Sequence, residues 1–168
     1  MRAAPLILAL LNLPLTLAST SAEDLLPGAI AAFPGETVVL KAHAVGQQIY
    51  QCKAAADGKL AWALLEPIAS LMVDGKLVGR HFKGPTWELG DSSAVVGKAI
   101  GDAPGQKAGD IAWLKLEVVS RSGSGKLSDV TAVQRINTLG GVLEDSCDRP
   151  GATRGMPYAA DYVFLRKS

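Results

Sequence analysis

The amino-acid sequence predicts an all-β fold, a single antiparallel barrel or sandwich of about eight or nine strands carrying one disulfide. Three observations predict it. From Glu36 onward apolar and polar residues alternate with period two, as half-buried strands require. Turn-forming clusters such as Asp74-Gly75, Gly101-Asp102-Ala103-Pro104-Gly105 and Ser122-Gly123-Ser124-Gly125 interrupt the alternation at short intervals. Beyond the first residues, no window of helical length keeps a clean 3.6-residue period. Closely spaced strands in one domain pack as a barrel or a sandwich.

The elements follow in order. Met1-Arg2 gives a positive start, and Leu6-Ile7-Leu8-Ala9-Leu10-Leu11 opens an apolar run that reaches Leu17. Small residues then lead to Ala22, ahead of Glu23 and Asp24. This order predicts a signal peptide over 1–22 and a secreted or periplasmic protein. Removing 22 of the 168 residues leaves 146, a single domain over 23–168 with an ordinary core. Pro27, Gly28, Pro34 and Gly35 mark 23–35 as a leading arm. In 36–44, Val38, Leu40, Ala42 and Ala44 alternate with Thr37, Val39, Lys41 and His43, which leaves His43 exposed beside Lys41. Residues 47–54 place Tyr50, Cys52 and Ala54 on one face. Residues 60–65 follow. Residues 70–73 and 76–82 flank Asp74-Gly75, a hairpin signal. Segments 93–100, 111–119, 130–137 and 158–165 complete the set. The Gly- and Pro-rich stretch 138–157 reads as a long connection ordered by Cys147.

The formal net charge is +1, and loss of Arg2 with the leader leaves the mature chain neutral. Nucleic acid needs a basic footprint and a membrane surface a polybasic patch, so neither partner is expected. No apolar stretch of the mature chain is long enough for a transmembrane helix. Cys52 and Cys147 are the only cysteines. In an exported chain such a pair predicts one disulfide. Their spacing lacks the close ligand pairs of a zinc site, and no metal is expected.

Several separated segments carry a family resemblance. They are Ile49-Tyr50-Gln51-Cys52, Gly79-Arg80-His81-Phe82-Lys83-Gly84-Pro85-Thr86-Trp87-Glu88, Ala112-Trp113-Leu114, Gln134-Arg135-Ile136-Asn137-Thr138 with Gly140-Gly141, and Tyr158-Ala159-Ala160-Asp161-Tyr162. Together they resemble the domain of unknown function 3455 family, secreted proteins of bacteria and fungi, over about residues 28–165. The resemblance implies a small exported β domain with no established activity. Some relatives carry a malate dehydrogenase label that this sequence does not support. A dinucleotide site needs Gly-x-Gly-x-x-Gly between a strand and a helix. Here Gly123-Ser124-Gly125 runs into Lys126-Leu127-Ser128 with no helix pattern behind it. No cofactor is expected.

Segment 79–91 holds the densest set of chemically able groups: Arg80, His81, Lys83, Trp87, Glu88 and Asp91. One reading is a ligand site in which an aromatic face stands beside a His and two acids. The other is a hairpin with solvated charges and Trp87 plugging the barrel. Pro85 cannot sit in a central strand, which places Trp87 and Glu88 on or just after a loop. Parity puts Trp113 with Lys115 and Glu117, away from Leu114 and Leu116, so Trp113 faces outward or covers a barrel mouth and joins the candidate ligand residues. Trp62 reads as core. Arg135 and Asp161, if both inward, would pair, since an unpaired buried charge is costly. No nucleophile motif is visible. The leading functional expectation is a non-catalytic binding or surface-associated module for a small ligand or envelope component. A small hydrolase or isomerase using His81 and Glu88 is the alternative, and a purely structural envelope protein is the third.

Overall fold

The computed structural model describes residues 26–168; the expected signal peptide, 1–22, and the first residues of the arm lie outside the described residues. Eight strands follow one another: β1 (Glu36–Ala54), β2 (Leu60–Val73), β3 (Lys76–Phe82), β4 (Thr86–Leu89), β5 (Ala94–Ala103), β6 (Trp113–Ser122), β7 (Ala132–Gly140) and β8 (Thr153–Lys167). Each pairs antiparallel with the next, and β8 pairs back onto β1 to close a barrel. The open choice between barrel and sandwich is thus resolved as a barrel. The closing seam is long, from Glu36 opposite Lys167 to Gln51 opposite Thr153.

The count of eight arises from two fusions and one addition. Segments 36–44 and 47–54 are one strand, continuous through Gly46. Gly46 does not break β1 because it is where β2 comes closest: a Cβ there would run into the Ile68 carbonyl and Ala69. Likewise 60–65 and 70–73 are one strand, with Pro67 accommodated opposite Gln48 near a bulge at Ile49/Tyr50. The addition is β4, which starts just after the Pro85 loop. Pro85 lies just before it and leaves residues 86–89 free to pair on both sides. The Asp74-Gly75 hairpin is as expected. Both residues have positive φ, 49° and 72°, as a two-residue turn between right-twisted strands demands.

An eight-stranded barrel has an interior that side chains can just fill. Trp87, Tyr162, Phe164, Leu71, Val95 and Val133 are fully buried there in one cluster with Ala42, Ala44 and Leu116. A second, smaller core lies on the outer wall. Ile30 of the arm covers Ala132, Ile136, Val163 and Leu165, with Leu26 and Trp113 at its margin. The arm is fastened by polar contacts as well. Gln134 Nε2 donates to the Ile30 carbonyl at 2.6 Å. Lys115 Nζ donates to the Ala31 carbonyl at 2.8 Å and to Glu36 at 2.5 Å, and lies 3.6 Å from the Phe33 ring centroid. Lys115 therefore has the outward parity expected of it yet is fully buried, because the arm lies over it. A buried ion pair of this kind is costly to break on one side.

Cys52 and Cys147 are bonded, with Cα atoms 5.9 Å apart. Cys52 ends the β1 seam, where its N–H donates to the Ala152 carbonyl, so the bridge ties the irregular stretch before β8 to the strand that β8 joins. Trp62 pairs with Cys52 across β1 and β2. It is half-buried and lines a surface pocket with Asp148, Arg149 and Arg154, beside the bridge and not the core residue expected.

Candidate functional site

Segment 79–91 folds as a hairpin, and its register decides what each side chain can do. His81 opposes Trp87, and Arg80 opposes Glu88. Successive residues of a strand face opposite sides, so the two pairs lie on opposite sides of the wall. His81 and Trp87 point inward. Their rings stack at 4.6 Å and 12°, Tyr162 leans on both, and Phe164 meets Trp87 edge-on at 6.2 Å. Arg80 and Glu88 point outward and form a two-oxygen ion pair at 3.1 Å, with the guanidinium over Phe82. Asp91 is a turn fastener. It accepts from Ser93 N–H, Ser93 Oγ–H and Lys126 N–H, and these donors, Ser93 Oγ first, hold its carboxyl below the usual range. His81 and Glu88 share no pocket.

His81 is chemically constrained. Its Nδ1 lies 2.8 Å from the Thr86 carbonyl. A carbonyl only accepts, so Nδ1 carries the proton. Burial lowers the pKa to about 4, against the opposing pull of the Thr86 bond, and the Arg135 charge lowers it further. The imidazole is therefore neutral at pH 7. Because the folded value lies below the ordinary 6.5, the unfolded chain takes up a proton first as pH falls. The stability linked to His81 is complete above pH 6.5, declines between 6.5 and 4, and is flat below. The expected loss is about 3 kcal/mol. Urea unfolding across this window should show that slope in the wild type and lose it in His81→Phe. Equal slopes in both proteins would refute it.

Arg135 and Asp161 do not pair. Arg135 opposes Tyr162, and Asp161 opposes Ile136, which sets the two charges on opposite sides of the wall. Arg135 faces in, donating Nε and Nη2 to the Ala112 carbonyl at 3.0 and 2.8 Å. Tyr50 is anchored nearby by donating to the Gly141 carbonyl at 2.7 Å. The parity signal was present in the sequence: Tyr158, Ala160, Tyr162 and Phe164 form the apolar set of β8 and leave Asp161 outside.

Asp161 instead centres a polar chain across three strands on the outer face. Its Oδ1 accepts from His43 Nδ1 at 2.7 Å, and its Oδ2 accepts from Asn137 Nδ2 at 2.9 Å. His43 and Asp161 are direct partners in the β1–β8 register. Asn137 reaches them because β7 is bulged between Ile136 and Leu139 and Asn137 adopts φ 51°. Bulges re-aim side chains in this way, and a left-handed non-glycine residue merits a reason. The His43 and Asp161 side chains keep 49% and 36% exposure. They open into a groove of about 680 Å³. Its apolar wall is Leu26, Trp113, Ile136 and Val163, and Lys41, Met72, Asp74 and Gln106 line the rest. Trp113 thus faces outward, and its Nε1 is buried without a partner, so it offers the groove a carbon surface. Of the candidate ligand residues from the sequence, Trp113 alone lines this groove; His43, Asn137 and Asp161 were not among them. Among the described residues no cluster of His, Cys, Asp and Glu suits a metal ion, and no helix is long and apolar enough to cross a membrane.

No curated protein and no solved structure gives a significant match to this chain. One family model, described as "Protein of unknown function (DUF3455)", matches residues 33–75 and 72–166. That span takes in β1 to β7 whole and β8 as far as Arg166, both cysteines, the stacked His81–Trp87 pair and the His43–Asp161–Asn137 chain. The chain belongs to the DUF3455 family.

Proposed function

We propose that this is an exported, non-catalytic binding module for a small ligand or envelope component, and that the ligand lies in the outer groove. One observation carries the reading: an apolar wall with Trp113 faces a pre-ordered polar chain, Asn137–Asp161–His43, across a concave space of about 680 Å³. Ligand sites combine concavity, apolar lining and a few fixed polar groups in this manner. The packed interior supports a site on the outside, because Trp87, Tyr162 and Phe164 occupy the volume that an internal ligand would need. Export rests on the order of charge, apolar run and small residues over 1–22.

Binding should be visible by two-dimensional NMR of the folded protein titrated with soluble envelope fragments and a small-molecule library. Hits should shift the amides of residues 41–43, 136–137 and 161–163 together, and Trp113→Ala should weaken them at least tenfold. Hits that map to another surface, or a screen without hits, would refute the reading.

A further inference from the structure

We propose that the groove takes a neutral saccharide ring, a reading that rests on the groove being the ligand site. Asp74 and Asp161 share one concavity with Lys41, so two carboxylates stand against one ammonium. A phosphate or carboxylate would need a cationic excess, which this groove lacks, and Asp161 already commits both oxygens to His43 and Asn137 instead of standing open to a cation. Donors and acceptors are instead mixed. Asp161 accepts only, Asn137 and Gln106 bring amides that both donate and accept, and Lys41 donates only. Sugar hydroxyls also donate and accept, so a ring of them suits such a border. The Asn137–Asp161–His43 chain is fixed before any ligand arrives, which reduces the ordering cost of binding. Beside it stands Trp113, whose buried N–H leaves ring carbon facing the groove. The C–H face of a pyranose packs on such a surface while its hydroxyls meet the polar border.

The test uses the oxidised, folded protein and an array of neutral oligosaccharides that includes chitotetraose, cellotetraose and maltotetraose. Oligogalacturonate and the flat apolar anion anilinonaphthalene sulfonate serve as contrasts. Neutral oligosaccharides should bind, read by saturation-transfer NMR and by tryptophan fluorescence. Their affinity should change less than twofold between 20 mM and 500 mM salt, because no net charge is being paired. Trp113→Ala should weaken binding at least tenfold. Asn137→Gly should weaken it as well while folding at least as firmly, since glycine relieves the left-handed backbone there. If the groove binds only oligogalacturonate or the sulfonate, the saccharide inference fails and the groove reading stands. If no probe reaches the groove, both fail. Neutral oligosaccharides bound as tightly by both variants as by the wild type would also overturn the inference.

Discussion

Trp87→Ala should lower the melting temperature by about 10–20 °C while leaving ligand binding at the outer groove intact. Trp87 is 1% exposed and is the largest fully buried side chain of the barrel. It is held by the His81 face and by the edges of Tyr162 and Phe164. The opposite side of its space is shaped by Gly97, where a Cβ would come within 2.9 Å of the indole. Truncation leaves a void that these rigid neighbours cannot collapse into, at a cost of about 3–5 kcal/mol. Circular dichroism melts of wild type and variant decide the matter. A melting temperature within 2 or 3 °C of wild type (about 1 kcal/mol or less), together with lost binding, would return Trp87 to the role of a ligand platform.

Removing the disulfide should cost more still. The bridge spans a sequence separation of 95, and the chain-entropy relation assigns a loop of that length about 4–5 kcal/mol. Cys52 is also 1% exposed, so Cys52→Ser adds a buried hydroxyl to the loss. The gentler variant is Cys52→Ala with Cys147→Ala. Its urea midpoint should fall by about 2 M if the slope is near 2 kcal/mol/M. A midpoint within 0.3 M of wild type (about 0.6 kcal/mol on the same slope) would show that β1 and β8 hold the seam without the bridge.

Much of the scaffold was legible along the chain. Period-two alternation marked the strands, Asp74-Gly75 fixed a hairpin, and two cysteines in an exported pattern gave the bridge. The outward direction of Trp113 followed from parity. What escaped depends on registers that local residues do not encode. Gly46 and Pro67 look like breaks in isolation; they are tolerated because one is a close approach between strands and the other lies near a bulge. Proximity in sequence grouped Arg80, His81, Trp87 and Glu88 into one site, whereas pleating divides them between two faces. The groove was hidden for the opposite reason. His43, Asn137 and Asp161 are far apart in sequence and meet through the β1–β8 register and a one-strand bulge. Its wall also needs the arm, whose Leu26 lines the groove and packs with Ile30 against the outside of the barrel.

The seam between β1 and β8 has a kinetic side. Every other strand pair joins neighbours in sequence and can form as a local hairpin or meander step. The seam joins the two ends of the chain, Glu36 to Lys167, so its contacts raise the contact order far above that of the hairpins and come late. Until they form, β1 and β8 are two open edges able to pair with another molecule. The Cys52–Cys147 bridge lies at one end of this seam. Once oxidised, the chain is tethered at the Gln51–Thr153 end of the ladder, so closure is a search over a shorter loop. Early oxidation thereby shortens the interval in which the open edges can recruit a second chain.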